Sequence, residues 1–282
     1  YLEQKSALFR KTPWWLDRMA APNWLLNTAG KRAASTDPAL LGELTVSMLE
    51  GENGRQKKEL DKLLYWLKRD ARPDVIHLSN SLLLGMAGRL RNELNALIAC
   101  TLSGEDIFIE KLRPPHYDCA RKLLIERSRD VDAFVALNRY YADYMASYLN
   151  VERTRIEVIP HGLKLEGHGQ RTPPASSDRA TIIGYLARIC EDKGLHLLVE
   201  SFIRLARDKS MPHLILKAAG YLGRADRDYL EKQKSRIAAA GLSDRFEFVG
   251  ELSRPEKIAF LQSLDIFAMP CIYPESKGLP VL

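Results

Sequence analysis

The sequence predicts an α/β protein with two parallel-sheet domains in its 282 residues, and three observations carry that expectation. From Pro73 onward, short β-branched or apolar runs alternate with segments whose apolar residues recur three and four apart, the rhythm of βα repeats rather than of a sandwich. Arg171-Thr-Pro-Pro-Ala-Ser-Ser-Asp178 interrupts the series with prolines, serines and no periodicity, as a linker does. The last strand runs into Pro274-Glu275-Ser276-Lys277-Gly278-Leu279-Pro280, which puts an acid and a tight turn at a strand's carboxyl end, where α/β proteins keep their ligand chemistry.

The elements follow in order. Leu8 to Leu26 carries Trp14, Trp15 and Trp24 around Pro13 and Pro22; the cluster reads as packing between short helices, with an acceptor groove or a membrane-facing patch as alternatives. Arg55–Ala71 is patterned as an amphipathic helix with Leu60, Leu63, Leu64 and Leu67 on one side. In the first series, strands are expected at 74–78, 97–102, 132–137 and 157–160, with helices at 82–94, 116–129 and 140–149. In the second, strands fall at 181–187, 213–218, 246–249 and 265–269, and helices at 194–208, 224–240 and 255–263. The expected organisation is therefore an N-terminal domain over residues 1–165, a linker over 166–178 and a C-terminal domain over 179–282.

Composition narrows the class of partner. Hydrophobic residues make up 46% of the chain, enough for real cores, and 42 Lys and Arg against 36 Asp and Glu leave a formal charge of +6. That surplus suits anionic ligands or a membrane surface, and without a long basic tract it does not imply nucleic acid. Cys100, Cys119, Cys190 and Cys271 are scattered, with neither zinc spacing nor disulfide density, which points to a reducing, cytoplasmic setting and no metal site. No apolar run approaches the roughly 18 residues of a membrane span, and no Gly-x-Gly-x-x-Gly joins a strand to a helix, which argues against a dehydrogenase. The chain opens on Tyr1 and stops where a helix should begin, so it is expected to be an internal fragment cut at both ends.

Three strand-end loops of the second series carry the candidate chemistry. After Gly184-Tyr-Leu-Ala-Arg188, both Arg188 and Lys193 flank a strand end beside the start of a helix, a setting suited to a phosphate or diphosphate. Solvated loop cations are the plainer reading of either residue alone. Phe246-Glu-Phe-Val-Gly250-Glu-Leu252-Ser253-Arg-Pro255 places a glycine at a strand end and Ser253 as a helix N-cap, exposing backbone groups to a nucleobase edge or serving only as a capped connection. Glu275 stands on the third loop, and the amides of Gly278 and Leu279 follow it. Elsewhere, His161 lies beside Gly162, while His77, His196 and His213 fall on strand or helix patterns as structural histidines.

In order and spacing, these residues resemble glycosyltransferase family 4, the retaining, nucleotide-sugar-dependent group of GT-B fold. The resemblance runs from about Pro73 to Leu282. It is carried by Arg72-Pro-Asp-Val-Ile-His-Leu78, Asp130-Val-Asp-Ala-Phe-Val-Ala136, Val158-Ile-Pro-His-Gly162, Arg188 with Lys193-Gly194, Phe248-Val-Gly250, and Asp265-Ile-Phe-Ala-Met-Pro270 with Pro274-Glu275. It implies two Rossmann-like domains facing across a cleft, both incomplete here. It also implies that Arg188 and Lys193 bind the donor diphosphate in place of a metal, and that Glu275 holds the donor sugar. Gly250 and Leu252 would meet the nucleobase side, Gly278 and Leu279 the sugar or phosphate. No cofactor is implied beyond the nucleotide-sugar substrate; the acceptor is left open between a glycan, a lipid and a small molecule, with peripheral membrane contact as an option.

Four departures bear on that picture. The second Glu of the family's Glu-seven-residue-Glu motif falls one position past Leu282, so the ribose contact is expected to be missing and the fragment inactive. The Gly-rich loop after the first strand is absent. In Thr101-Leu-Ser103-Gly-Glu105-Asp106, Ser103 stands where the family commonly has a His; it can hydrogen-bond a hydroxyl but does not titrate near neutrality. Lys277 also replaces a frequent aromatic. With no obvious nucleophile, the implied mechanism is a front-face substitution. The readings kept open are a GT-B epimerase or phosphorylase, and a non-catalytic sugar-nucleotide-binding or interaction module.

Overall fold

A computed structural model describes residues 38–169, 179–211 and 213–281. By internal contacts the chain divides into two units, one ending at His161 and the other beginning at Gly162. The Trp14, Trp15 and Trp24 cluster and the Arg171–Asp178 stretch lie outside the described residues.

The first unit opens with α1 (Pro38–Glu50) and α2 (Lys57–Trp66), the latter closed by a π-helical turn over Leu67–Ala71. Strand β1 (Val75–Leu78) leads through a 3-10 segment (Ser81–Met86) into α3 (Ala87–Leu94). Then come β2 (Leu97–Leu102), α4 (Glu105–Ile109), α5 (His116–Arg127), β3 (Ala133–Ala136), α6 (Arg139–Leu149) and β4 (Ile156–Val158). The four strands pair in parallel in the order β1-β2-β3-β4. Ile98, Leu102, Phe134, Leu124 and Tyr141 are fully buried at the centre of its core.

Helix α1 was not legible in sequence because its buried positions are Gly42, Thr45, Ser47 and Leu49, small and polar rather than a leucine stripe. A side chain at Gly42 would meet the His116 ring at 2.6 Å, so α1 and α5 approach closely there. Arg127 of α5 donates to the carbonyls of Leu49 and Glu50, which satisfies the open end of α1.

The second unit holds β5 (Thr181–Leu186), α7 (Leu195–Arg207), β6 (Leu214–Ala219), α8 (Arg227–Ala239), β7 (Phe246–Gly250), α9 (Arg254–Ser263) and β8 (Ile266–Phe267). All pair in parallel in the order β7-β6-β5-β8. Period-two alternation on β5 feeds two cores: Ile183 and Tyr185 join α7 and α8, whereas Ile182 and Leu186 join Phe260 and Leu264 at α9. Strand order reverses at β5, with β6 on one side and β8 on the other, and such a switch point opens a crevice beyond the carboxyl ends of the strands.

One device recurs in both units. Asp132, before β3, accepts from the Ile98 amide of β2 at 2.8 Å and pairs with Arg91. Asp265, before β8, accepts from the Ile182 amide of β5 at 2.8 Å and pairs with Arg179. Each carboxylate pins the next strand into register at its amino end. Asp265→Ala should therefore cost about 2 kcal/mol or more in a urea unfolding curve, since a partly buried Arg179 and a strand amide lose their acceptor; a change within 0.5 kcal/mol would remove Asp265 from this role.

Candidate active site

The loops after β5, β7 and β8 leave the same sheet edge, and the structure places the predicted residues along it in two groups. Arg188, Leu252 and Leu279 line a cavity of about 690 Å³, a volume suited to a small organic ligand. Lys193 and Glu275 are outside its lining and are bound to each other, Nζ to Oε2 at 2.5 Å. Gly250 and Gly278 adopt φ of 90° and 60° at the turns that lead toward Leu252 and Leu279.

The Arg188 loop is built from its anchors. Ile189 is fully buried and its amide donates to the Tyr221 carbonyl at 2.9 Å, while the Tyr185 hydroxyl donates to the Arg188 carbonyl at 3.2 Å. The Arg188 guanidinium is thereby left at the cavity wall, its Nε 3.4 Å from the Cys190 sulfur. Gly194 follows at φ 75°, and a Cβ there would lie 1.7 Å from the Pro270 carbonyl. Only glycine permits this approach of the β5 loop to the β8 loop, and the Ile272 amide donating to the Asp192 carbonyl at 3.1 Å closes it.

Glu275 is the most heavily partnered group at the edge. Besides Lys193, its Oε2 accepts from the Tyr273 hydroxyl at 3.1 Å and the Cys271 thiol at 3.4 Å, and Oε1 accepts from the Lys277 amide at 3.2 Å. Burial alone would push this carboxyl up, but the Lys193 ammonium and the other donors outweigh it and hold it at about 2. Burial likewise pulls Lys193 down, and its bonds to Glu275 and Tyr273 reverse the direction. The ammonium also sits 4.8 Å from the centre of the Tyr273 ring. The sequence suggested two cations awaiting an anion; one of them already has a carboxylate, because Gly194 lets the two loops meet.

Sequence reasoning missed the rest of the cavity wall: Leu163, Lys164, Leu165 and His168 from the segment after Gly162, Gly220 and Tyr221 after β6, and Glu251, Arg254 and Lys257 around the start of α9. The strand-end glycine in Ala219-Gly220-Tyr221 was the available signal. Nothing in sequence announced that Arg254 reaches back to donate to the carbonyls of Lys164 and Glu166 at 2.8 and 2.7 Å. Ser253 caps α9 as expected, its amide donating to Glu256 at 2.8 Å. The lining carries Lys164, Arg188, Arg254 and Lys257 against one carboxylate, Glu251, a balance that favours an anion.

In the first unit, Ser103 lies just beyond β2, and its hydroxyl donates to Glu105 at 2.6 Å while its amide donates to the same carboxylate at 3.0 Å. Ser81 donates to Glu105 as well, so the Ser103 oxygen keeps only acceptor capacity for a ligand. Next to it, burial pushes the Asp106 carboxyl up although the Tyr141 hydroxyl donates to it. The His161 Nε2 is buried without a hydrogen-bond partner. His77 meets Thr101 at 2.7 Å and His196 meets Tyr229 at 3.0 Å, both structural pairings. Among the described residues no group of three or more His, Cys, Asp or Glu is placed to hold a metal ion.

Comparison with known proteins gives this architecture its class and then its family. The model for Glycosyltransferase Family 4 matches residues 43–166, and that for Glycosyl transferases group 1 matches residues 170–282. Among solved structures, Anabaena HepE in complex with UDP superposes with TM-score 0.60 at 16% identity, over 80% of this chain and 60% of that one. The lipopolysaccharide outer core galactosyltransferase WaaB gives TM-score 0.59 at 14% identity, over 80% and 57%. At such identities they define the fold, which is GT-B. The chain belongs to the GT-B glycosyltransferases. Similar curated proteins are the 2-deoxystreptamine N-acetyl-D-glucosaminyltransferase of Streptomyces fradiae, 24% identical over 75% of this chain and 52% of its own, and the 2-deoxystreptamine glucosyltransferase of Streptomyces kanamyceticus, 24% identical over 61% and 44%. The chain thus spans about half the length of the curated relatives it matches.

Two predictions follow from the geometry. Because the folded Glu275 carboxyl titrates near 2 rather than 4.5, its pair with Lys193 contributes fully above about pH 4.5 and fades as pH falls toward 2. The stability difference between the wild type and Glu275→Gln, from urea curves at pH 6, 4 and 3, should shrink with falling pH; a constant difference would contradict the assignment. Arg254→Ala should free the Leu163–His168 wall and weaken ligand binding in the cavity about tenfold, read by calorimetry, with a Tm shift of only ~2 °C. Full retention of affinity would show that the wall stands without Arg254.

Proposed function

We propose that the protein is a retaining glycosyltransferase that moves a sugar from a nucleotide-sugar donor to an acceptor. The observation that carries this reading is the cation-lined cavity beside the Lys193–Glu275 pair at the switch point of the second sheet. Arg188 reaches the diphosphate from the cavity wall. The Leu252 and Leu279 positions bracket the nucleotide, while Gly250 and Gly278 keep their turns open to it. A uridine nucleotide is the first donor to test, because HepE, similar in fold, is a UDP complex.

For the chemistry, the bond from the anomeric carbon to the diphosphate oxygen breaks as the acceptor hydroxyl attacks from the same face. The proton of that hydroxyl passes to the departing phosphate oxygen. Charge grows on the leaving group, and Arg188 and Lys193 meet it without a metal; Lys193 does so as its ammonium turns from Glu275 toward the phosphate, which leaves the Glu275 carboxylate to accept from donor sugar hydroxyls. With Lys193 turned away, the Lys277 amide and the Cys271 thiol still donate to Glu275 and favour its charged, accepting form. Ser103 and His161 are the first unit's candidates on the acceptor side.

Titration of the protein with UDP, GDP and ADP and their hexose conjugates tests the donor class. One nucleotide should bind with a micromolar Kd and at least about tenfold more weakly to Arg188→Ala. In the longer protein, Arg188→Ala or Lys193→Ala should lower kcat by roughly 10²-fold, with turnover unaffected by EDTA. Unchanged kcat in both variants would reject these roles.

A further inference from the structure

We propose that Tyr221 is the residue on which the nucleobase stacks in the cavity of the second unit, an inference that rests on the nucleotide-sugar reading and names a contact for its base. Among the described residues of this unit, Tyr221 is the only Phe, Tyr or Trp that stands exposed, at 55%, and it lines the cavity wall. Its ring and hydroxyl have no partner among the described residues. The other cases nearby differ: the Tyr185, Tyr229 and Tyr273 hydroxyls meet the Arg188 carbonyl, His196 and Glu275. A large ring left in water at the wall of a cavity is apolar surface that a planar ligand can cover.

The backbone beneath the ring is fixed from both sides. The Gly220 amide donates to the Gly250 carbonyl at 2.8 Å, and the Ile189 amide donates to the Tyr221 carbonyl at 2.9 Å. Gly220 adopts φ 141°, and a Cβ there would lie 1.9 Å from the Ala187 carbonyl oxygen. The loops after β5, β6 and β7 are therefore tied together at this turn, and a base that lands on the ring has little loop to order. Sheet order then assigns the ring its part of the ligand. The strands run β7-β6-β5-β8, and in the nucleotide-sugar reading the β8 loop offers Glu275 to the sugar and the β5 loop offers Arg188 to the diphosphate. The base extends to the remaining side, where Tyr221 follows β6, two strand spacings or about 10 Å from β8. Leu252, after β7, lines the same cavity and adds apolar surface on that side. A diphosphate gains nothing from the electron-rich face of a tyrosine ring, whereas every nucleobase has a π-face to lay on it.

The test is calorimetric titration of the full chain with UDP, GDP and ADP and with their hexose conjugates. For the nucleotide that binds best, Tyr221→Ala should weaken the free diphosphate and its hexose conjugate by the same factor, about tenfold or more, with Tm unchanged because the side chain is half exposed. Tyr221→Phe and Tyr221→Trp keep a stacking face and should bind within about threefold of the wild type. In Tyr221→Trp, the added indole emission should be quenched as the nucleotide saturates the site. Nucleotide binding by the wild type with full retention in Tyr221→Ala would overturn this inference alone and leave the donor reading standing. A loss confined to the hexose conjugates would place the ring against the sugar instead, and a loss in Tyr221→Phe equal to that in Tyr221→Ala would assign the contact to the hydroxyl; either overturns stacking. No nucleotide binding by the wild type would remove the donor reading and this inference with it.

Discussion

The contact between Lys193 and Glu275 ties together the two strands on either side of the sheet's switch point. Without it, the β5 and β8 loops would present two isolated charges at a shared edge; with it, they form a single polar unit sheltered by Tyr273 and Cys271. Its formation depends on a backbone fact, the absence of a Cβ at Gly194, since any side chain there would collide with the Pro270 carbonyl. The pair is partly buried rather than dry, so its Coulomb attraction and its extra donors can exceed the cost of desolvation.

Around that pair the edge divides its labour. Arg188 is held by the buried Ile189 and the Tyr185 hydroxyl so that the guanidinium remains at the cavity wall. Arg254 acts through the backbone, holding the Lys164 and Glu166 carbonyls so that Leu163 and Leu165 stay in the lining. A preorganised cationic wall with a carboxylate held in its charged state on the same sheet edge offers two kinds of recognition, one for an anion and one for hydrogen-bond donors. The carbonyls that Arg254 grips belong to a segment ninety residues earlier in the chain, which makes the wall a tertiary construction.

The same economy marks the first unit. Glu105 gathers Ser81, the Ser103 hydroxyl and the Ser103 amide onto one carboxylate, which fixes the loop after β2 and leaves the serine oxygen able only to accept. Asp132 and Asp265 each lock a strand to its neighbour by accepting a backbone amide and pairing with an arginine.

The sequence by itself determined the alternation of strands and helices, the parallel sheets and the candidate residues at strand ends, because period-two and period-3.6 burial are local properties written in residue order. It did not show α1, whose buried positions besides Leu49 are Gly42, Thr45 and Ser47, since small or polar residues carry no periodic apolar signal. Arg188, Lys193, Gly250 and Glu275 were legible as a group, but not which of them would meet. That Lys193 binds Glu275, that Arg188 lines the cavity, and that Arg254 braces its wall were decided only by the tertiary structure, because each depends on distances between loops that chain separation does not encode.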